Sequence, residues 1–525
     1  MARRPERVGT RRRGAGAALQ RARAAGPRPL GRGADPRAPA ERRVRTLVWF
    51  RRDLRTDDNT ALSHACAASD DGLVAVFVAS PGEWSAHDDA PVKVDFWLRN
   101  LRVLGEALAR LNIPLKIVTA PTPRGVAPAL LGVARECGCG ALFFNHEYEV
   151  NEAARDDAVR RHFEKHGLIV RGYHDRAVLA PDALRTGAGG CYTVFSPYRR
   201  SWVKAVLERG VEVRPAPGRQ RKLDVRPDPV PERVEGFESP VDPALWPAGE
   251  GAARARLELF CRQRIQGYKA DRDTPALDAT SRLSPYLAAG VISPRRCLEA
   301  ARACNGGRLD DGAGSNPGAV QWISELVWRE FYQQVLVGFP RVCMHRAFRP
   351  ATDRIRWAED EDGFGRWCEG RTGVPIVDAA MRQLRATGWM HNRLRMVAAS
   401  YLTKDLFIDW RRGERFFMQH LVDGDLGSNN GGWQWSASTG TDAAPYFRIF
   451  NPVSQSRRCD PEGLFIRRWV PELSAVEGDA IHDPSELPGL LRATLEYPAP
   501  IVDHGAARER VLAAFKALDD RAAAR

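Results

Sequence analysis

The segment TLVWF at residues 46–50 is the first of four short apolar runs that decide the fold of the first half of the chain. The other three read VAVFVA, LKIV and ALFF, at residues 74–79, 115–118 and 141–144. Short runs of this kind between polar segments are typical of strands that are buried in a sheet. We therefore predict four sheet strands in this part of the chain.

A helical pattern lies between the second and the third run. Apolar residues recur there at spacings of three and four, at Val94, Leu98, Leu101, Leu104, Leu108 and Leu111. Such spacing forms one face of an amphipathic helix, and strands that alternate with helices predict a parallel sheet. The chain has no GxGxxG after the first run and no GxxxxGK[ST]. The pattern thus predicts a Rossmann-like α/β domain without the dinucleotide fingerprint.

Composition divides the chain into four parts. Residues 1–43 alternate Arg with Ala, Gly and Pro and are predicted to be a disordered extension, with a DNA-tracking arm as the functional alternative. Residues 44–175 contain the α/β pattern. Residues 176–250 are predicted to be a linker because their second half is rich in Pro and Glu. Helical periods dominate residues 251–521, which we predict to be an all-helical domain.

Charge and cysteine content exclude several classes of protein. The formal net charge of the 525 residues is +14, of which +11 lies in the first 45 residues and only +3 in the rest. The basic character therefore does not mark the folded part as a nucleic-acid binder. No apolar run is long enough to cross a bilayer, and the N-terminus lacks a secretory h-region. The ten scattered cysteines contain no CxxC and predict no metal site, as in a reduced cytoplasmic enzyme.

Tryptophan is concentrated in the second half of the chain. Eight of the fourteen tryptophans lie between positions 322 and 435. GGWQW at residues 431–435 places two indoles beside glycines, directly after Asn429 and Asn430. Glycines permit close backbone approach, and indoles can stack on a flat ligand or base. The alternative for each tryptophan is an ordinary place in the core.

Two polar segments add candidate ligand contacts. TSRLS at residues 280–284 suits a diphosphate at a helix N-terminus, or else an ordinary serine cap. Asp423 and Asp425 precede the asparagine pair and could bind a ligand, with solvated loop acids as the alternative.

Together these segments resemble the photolyase/cryptochrome family and, within it, the class I cyclobutane pyrimidine dimer photolyases. The resemblance is carried by VWFRRDLRTDDN (48–59), ELVWREFY (325–332), TGWMHNRLRM (387–396), DGDLGSNNGGWQWSASTGTDAAPYFRIFNP (423–452) and NPVSQ (451–455). It covers nearly everything after residue 45. It implies an α/β domain followed by an all-helical FAD-binding domain, and an enzyme that repairs DNA with light.

The resemblance implies a specific set of FAD contacts. The matching positions are Tyr268, Thr280, Ser281, Arg282, Leu283, Ser284, Trp322, Arg329, Arg395, Asp423, Asp425 and Asn429. Arg395 is expected to form an ion pair with Asp423. In this family, excited reduced FAD gives an electron to a flipped-out pyrimidine dimer, the cyclobutane ring splits, and the electron returns.

The resemblance also implies contacts to the lesion and to DNA. The positions that match its catalytic contacts are Glu325, Trp328, Asn392, Met396, Asn429 and Trp435. Those that match its DNA contacts are Arg272, Glu325, Trp328, Asn392, Arg393 and Gln455. The electron relay that reduces oxidised FAD in the family corresponds to Trp433, Trp410 and Trp357.

An antenna chromophore is implied as well. Close relatives bind 5,10-methenyltetrahydrofolate in a cleft between the domains, and Asn151, Glu152 and Cys343 match their contacts. The alternative for the first two is capping of a helix that begins near Ala153. Relatives usually follow the cysteine with Lys, whereas this chain has Met344, so we expect weak folate binding.

Three rival functions can be weighed from the same residues. Asn429 matches photolyases, whereas plant cryptochromes usually carry Asp there and animal ones Cys, and we expect no long regulatory tail. The (6-4) photolyases carry two histidines at the positions of Asn392 and Met396, where this chain offers only His391, one place away. A flavoprotein oxidoreductase that works in the dark would need a nicotinamide-binding fingerprint, and the sequence has none.

We expect a monomer that acts on DNA containing pyrimidine dimers and binds no membrane.

Overall fold

A computed structural model describes residues 44–523. The predicted disordered extension, residues 1–43, lies outside the described residues. No helix in the described part of the chain is both long and apolar enough to cross a bilayer.

A five-stranded parallel sheet forms the centre of the first part of the structure. The strands are β1 (Thr46–Phe50), β2 (Leu73–Ala79), β3 (Leu115–Thr119), β4 (Ala141–Asn145) and β5 (Ile169–Tyr173). Their order is β3-β2-β1-β4-β5, so the first strand is central. The four predicted strands are confirmed. Strand β5 was not predicted, because this edge strand is largely exposed and has no apolar run.

Helices cover both faces of this sheet. They are α1 (Thr60–Ala68), α2 (Pro81–Ala86), α3 (Pro91–Arg110), α4 (Pro123–Glu136) and α5 (Val150–Lys165). The predicted amphipathic face of α3 is buried, including Val94, Leu101 and Leu108. Leu111 lies just after the helix and caps its C-terminus. The predicted α/β fold is therefore confirmed.

The segment that was predicted to be a linker contains a helix, α6 (Phe195–Arg209). Tyr198 and Trp202 on this helix are buried, and Trp202 Nε1 donates a hydrogen bond to Glu330 Oε2 at 2.7 Å. Residues 211–249 have no helix or strand except one short turn of 3₁₀ helix, Pro243–Leu245. The proline-rich half is irregular, but it too packs into the core, since Phe237, Val241 and Trp246 are buried there.

The rest of the described chain is helical and contains no strand after β5. The helices before the tryptophan-rich region are α7 (Glu250–Gln263), α8 (Tyr268–Asp271), α9 (Ser284–Ala288), α10 (Pro294–Cys304) and α11 (Pro317–Gly338). They are followed by α12 (Glu361–Glu369), α13 (Pro375–Thr387), α14 (Asn392–Ser400), α15 (Trp410–Met418) and α16 (Leu426–Ser436). The last ones are α17 (Pro452–Cys459), α18 (Leu464–Trp469), α19 (Gly489–Ala493) and α20 (His504–Ala523). This architecture confirms the predicted all-helical second part.

Candidate active site

The two predicted aspartates are buried beside α16 rather than solvated in a loop. Asp423 and Asp425 are each 7% exposed. Arg395, on α14, donates from Nη2 to both carboxylate oxygens of Asp423, at 3.0 and 2.8 Å. The predicted ion pair is therefore present, and it ties the N-terminal end of α16 to α14.

Asp425 is the N-cap residue of α16. Its Oδ1 accepts hydrogen bonds from the backbone N–H and the hydroxyl of Ser428, both at 3.0 Å. Its Oδ2 accepts from Nη2 of Arg176 at 2.9 Å. Burial raises the pKa of Asp425, but Arg176 and then Arg329 outweigh it and lower that pKa well below its usual range. Both oxygens of Asp425 thus have partners within the protein.

Asn429 and the GGWQW segment lie within α16, and not in a polar loop. The side-chain amide of Asn429 donates to the carbonyl oxygen of Glu414 at 3.0 Å. A Cβ at Gly431 would lie 2.2 Å from the ring of Tyr332 on α11. This glycine therefore permits close packing of α16 on α11, whereas the sequence analysis attributed it to ligand approach.

The predicted diphosphate segment, residues 280–284, leads into α9. Thr280 and Ser281 are half-buried, Leu283 is buried, and Ser284 is exposed and provides no cap. The serine-cap alternative is therefore wrong. Arg282 has a φ of 48°, and its Nε lies 3.2 Å from Asp278 Oδ1 without hydrogen-bond geometry, which leaves this buried N–H without a partner.

These observations fit a bound diphosphate. Burial lowers the pKa of Arg282, and Asp278 counters this only in part. A guanidinium with a free N–H next to two hydroxyls is a donor set that suits phosphate oxygens. Two other predicted FAD contacts, Tyr268 and Trp322, pack on the same ring, that of Phe260, with centroid distances of 5.5 and 5.0 Å.

Arg329 is half-buried on α11, between the segment after β5 and α9. It donates from Nη1 to the carbonyl oxygen of Arg176 and from Nη2 to that of Leu287 at 3.3 Å. Burial lowers the pKa of Arg329, and Asp425 is the first charge that opposes this effect.

Two ion pairs connect the predicted lesion and DNA contacts. Glu325, on α11, accepts from Arg272, and its Oε1 also accepts from Gln321 at 2.9 Å. The neighbouring Asp273 forms an ion pair with Arg393 on α14. Arg272 and Asp273, in the loop after α8, thereby link α11 to α14. Each ion pair neutralises the charge of its arginine in part.

The predicted walls of the lesion pocket come from three helices. Trp328, on α11, stacks on Phe195 with a centroid distance of 3.7 Å and an interplanar angle of 7°. Asn392 is exposed at the start of α14, and Met396 follows one turn later and is half-buried. Trp435 is half-buried on α16. Phe195 was not among the predicted site residues, because it lies in the segment that was predicted to be a linker.

Gln455, the remaining predicted DNA contact, is half-buried on α17, the next helix along the chain after α16.

The three relay tryptophans lie at different depths. Trp433 and Trp410 are 2% and 0% exposed, whereas Trp357 is half-buried near the surface, 5.1 Å from the ring of Phe407. A Cβ at Gly413 would lie 2.1 Å from Cη2 of Trp433, so this glycine brings Trp433 against the helix that begins with Trp410. Trp367 is a further buried neighbour, 6.0 Å from Trp433, that the sequence analysis did not include.

His391 is a buried helix cap rather than an accessible proton donor. It is 2% exposed and caps α14, where its Nδ1 accepts a hydrogen bond from the backbone N–H of Arg393 at 3.3 Å. Burial lowers the pKa of His391 to about 4, so the imidazole is neutral near pH 7.

The predicted antenna residues line one cavity of about 340 Å³ between β1, α5 and α15. Asn151, Glu152, Cys343 and Met344 all contribute to its wall. Helix α5 begins at Val150, and neither Asn151 nor Glu152 caps it, so the capping alternative is wrong. The cavity is also lined by charged residues that the sequence analysis missed, among them Arg52, Glu83, His87, Arg155 and Arg415.

Glu152 lies at the centre of a charged network in this cavity. Its Oε1 is 3.3 Å from Arg52 Nη2 and 3.4 Å from His87 Nδ1. Burial and then the Glu149 carboxylate raise the pKa of Glu152 to about 8. Glu83, His87 and Glu152 also bring one ligand atom each within 4.8 Å of one another, the one such grouping found among the described residues. The sequence analysis predicted no metal site.

Known proteins show the same two parts. Residues 46–218 match the family model of DNA photolyase, and residues 322–517 match the FAD binding domain of DNA photolyase. The deoxyribodipyrimidine photo-lyase of Salmonella typhimurium is 45% identical over 471 residues, which cover 90% of this chain and 98% of that protein.

Solved structures agree with this assignment. A bacterial class III photolyase from Agrobacterium tumefaciens has a TM-score of 0.79 and 35% identity, covering 93% of this chain and 100% of its own. A cryptochrome from Synechocystis has a TM-score of 0.77 and 28% identity, covering 90% of this chain and 99% of its own. The chain therefore belongs to the DNA photolyase family and has its FAD-binding domain.

Proposed function

We propose that the protein repairs cyclobutane pyrimidine dimers in DNA, in a light-driven reaction that depends on reduced FAD. The observation that carries this proposal is the linked set of lesion contacts on α11 and α14. Glu325 and Trp328 on α11 and Met396 on α14 combine an acceptor for base edges with apolar walls. The ion pairs of Arg272 and Asp273 support this set.

FAD, when bound and reduced, supplies the electron that opens the cyclobutane ring. The chain's own residues bind and orient the partners. Thr280, Ser281 and Arg282 suit the diphosphate, while the Arg395–Asp423 pair fixes a carboxylate beside α16. Asn429 has its side-chain N–H bound to the Glu414 carbonyl, which holds the amide in one orientation.

The lesion must leave the duplex to reach this pocket. Flipping costs a few kcal/mol and less at a lesion that already disturbs stacking. Trp328 and Trp435 would hold the flipped bases between aromatic surfaces, with Glu325 and Asn392 as hydrogen-bond partners for base edges. Since residues 46–525 have a formal net charge of only +3, DNA binding would depend on local arginines such as Arg393 and would weaken with salt.

The (6-4) alternative is disfavoured by the histidine available. His391 is buried, neutral near pH 7 and occupied in capping α14, so it offers no proton to a lesion. Asn392 and Met396 cannot replace an imidazole pair as proton donors. The cryptochrome alternative is disfavoured by Asn429 and by the lower identity of the cryptochrome neighbour, 28% against 45% for the Salmonella photo-lyase.

We also propose a folate antenna in the 340 Å³ cavity. Glu152 is a buried acceptor for the amino and ring N–H groups of a pterin, and Asn151 and Cys343 lie on the same wall. Met344 is 54% exposed at the rim and offers no charge to the glutamate tail. Trp433, Trp410 and Trp357 would relay electrons from the surface to oxidised FAD, and the enzyme would act as a monomer in the cytoplasm.

The test compares three oligonucleotides of one sequence, which carry a thymine cyclobutane dimer, a (6-4) product or no lesion. The protein with reduced FAD is incubated with each in blue light and in darkness, and the products are separated by chromatography. We expect restored thymines from the cyclobutane dimer in light alone. Conversion of the (6-4) product instead, or equal conversion in darkness, would contradict the proposal.

A further inference from the structure

Arg176 joins two sites that the sequence analysis treated as separate. It follows β5, and its side chain is 5% exposed. Nη1 donates to the two carboxylate oxygens of Glu149 on the cavity wall, at 3.2 and 3.1 Å. Nη2 donates to Oδ2 of Asp425, the N-cap of α16, at 2.9 Å. One guanidinium thus connects the antenna cavity with the helix that carries Asn429.

The backbone of Arg176 is fixed as well. Its carbonyl oxygen accepts hydrogen bonds from Arg329 Nη1 and, at 3.5 Å, from Gln333 Nε2, both on α11. Because its carbonyl oxygen and both Nη atoms of its guanidinium are hydrogen-bonded, Arg176 has little freedom to bind other partners. Removing it would therefore leave the two buried carboxylates without this cation.

Asp425 acts as the N-cap of α16 through its negatively charged carboxylate. Its Oδ1 accepts two hydrogen bonds from Ser428, the residue directly before Asn429. An ionised carboxylate is a strong N-cap acceptor at the positive end of a helix, and the cap fixes the first turn of α16. Asn429 belongs to this first turn, because its backbone N–H donates to the carbonyl oxygen of Asp425 at 2.8 Å.

We propose that Arg176 is a positioning residue for the flavin, which keeps Asp425 as the ionised cap of α16 and is itself held in place by Glu149 on the cavity wall. The proposal rests on FAD binding and not on repair of a particular lesion. It gives Asp425 a role in ordering α16, beside the direct flavin contact that the family resemblance implies.

The proposal predicts a pH dependence when Arg176 is removed. The charged groups that face Asp425 are Arg176 after β5, Arg329 on α11, Arg52 after β1 and Glu149 before α5. Without Arg176, burial and Glu149 raise the pKa of Asp425, and Arg329 and Arg52 oppose them only in part. The carboxyl then becomes protonated as the pH falls, and the cap weakens. In the parent the carboxyl stays ionised over the same range.

The test measures the rate of FAD release from the FAD-loaded protein, by the fluorescence of free FAD, between about pH 8 and pH 5.5. Four proteins are compared: the parent, Arg176→Gln, Arg176→Lys and Arg382→Gln. Arg382→Gln is the matched control, because Arg382 on α13 binds Glu472 and Gly370 in another part of the helical region. Glu149→Gln is added because it removes the cavity-side anchor of Arg176 together with the carboxylate that opposes ionisation of Asp425.

We expect FAD release from Arg176→Gln to accelerate about tenfold from pH 8 to pH 5.5. Arg176→Lys keeps the charge but not the fork, so its profile should lie between those of Arg176→Gln and the parent. Glu149→Gln leaves Arg176 beside Asp425 and removes a like charge, so its profile should stay close to that of the parent. The parent and Arg382→Gln should change less than about twofold. A flat profile for Arg176→Gln, with FAD bound at pH 8, would overturn the proposal.

If Arg176→Gln folds poorly, the proposal can still be tested with Arg176→Lys. In that case Arg176→Lys is compared with the parent and with Glu149→Gln, and acid-dependent FAD release from Arg176→Lys alone supports the proposal. A profile of Arg176→Lys identical to that of the parent would overturn it. A parent that retains no FAD would contradict the FAD assignment on which the proposal rests, and with it the proposal.

Discussion

Nη2 of Arg395 lies 3.0 and 2.8 Å from the two carboxylate oxygens of Asp423. Nε of the same arginine donates to the carbonyl oxygen of Met390 at 2.9 Å. The pair therefore fixes the start of α14, which carries Asn392 and Met396, to the chain that enters α16. It joins the lesion side of the proposed site to the flavin side.

Removal of Arg395 should cost the protein its FAD. Arg395→Met would leave the carboxylate of Asp423, whose side chain is 2% exposed, without its cation. Loss of one partner of a buried ion pair costs about 3–5 kcal/mol. We expect purified Arg395→Met to contain little FAD and to unfold at a lower temperature, measured by absorbance and calorimetry. The control Arg382→Gln should keep its FAD. Full FAD content and an unchanged Tm in Arg395→Met would contradict this role.

Trp357→Phe should separate photoreduction from repair. Phe lacks an indole that can be oxidised, so light should no longer reduce oxidised FAD through Trp410 and Trp433. FAD content and repair by the chemically reduced protein should stay as in the parent. Transient absorption of the flavin measures the first effect, and Trp469→Phe, which lies on α18 outside the proposed relay, is the control. Photoreduction of Trp357→Phe at the parental rate would show that this residue is not the terminal relay.

Glu325→Ala should lower repair more than FAD binding. It removes an acceptor for base edges and also the ion-pair partner of Arg272. We expect a loss of about 1–3 kcal/mol of interaction with the dimer, seen as a lower repair yield per absorbed photon with FAD retained. Arg272→Gln separates the two effects, because it should weaken binding to all DNA and reduce its salt dependence. Parental yield and affinity in Glu325→Ala would make Glu325 a structural residue.

Folate binding should depend on pH through Glu152. The pKa of this carboxyl is raised to about 8 by burial and by Glu149, so it is largely protonated at pH 7. Pterin N–H donors bind the ionised form better, so affinity for 5,10-methenyltetrahydrofolate should rise as the pH increases from about 6.5 to 8.5. Titration followed by the near-ultraviolet band of the bound folate measures this.

Two variants test the same site at constant pH. Glu152→Ala should abolish the folate band, whereas Met344→Lys should tighten binding by adding a cation at the cavity rim. If saturating folate gives no band with the parent and no energy transfer to FAD, then the antenna proposal is wrong.

Much of the fold could be predicted from hydrophobic pattern. The runs that became β1, β2 and β4 are buried on both faces of a parallel sheet, so they are almost entirely apolar. The run that became β3 is only partly buried at the sheet edge and includes Lys116. The edge strand β5 carries no such pattern, because its side chains are mostly exposed. Helix α6 was not predicted, because the proline-rich segment that follows it dominates the composition of residues 176–250.

The site residues that could be predicted from the sequence lie in long family motifs, as Asp423 and Arg395 do. Residues whose partners lie far away in the sequence could not be predicted, because no local pattern marks them. Arg176 lies 249 residues from Asp425, and nothing in its neighbourhood indicates that partner. His87 and Phe195 are similar cases, because the cavity and the Trp328 stack exist only after the chain folds.

Light-dependent reversal of a defined thymine dimer tests the central claim most directly. The FAD-loaded, reduced protein is mixed with an oligonucleotide that carries one cyclobutane dimer, and the recovery of thymine absorbance is followed during blue or near-ultraviolet illumination. The account predicts recovery of both thymines in light, none in darkness, and none with Arg395→Met that lacks FAD. Unchanged dimers after illumination, with reduced FAD shown to be bound, would contradict it.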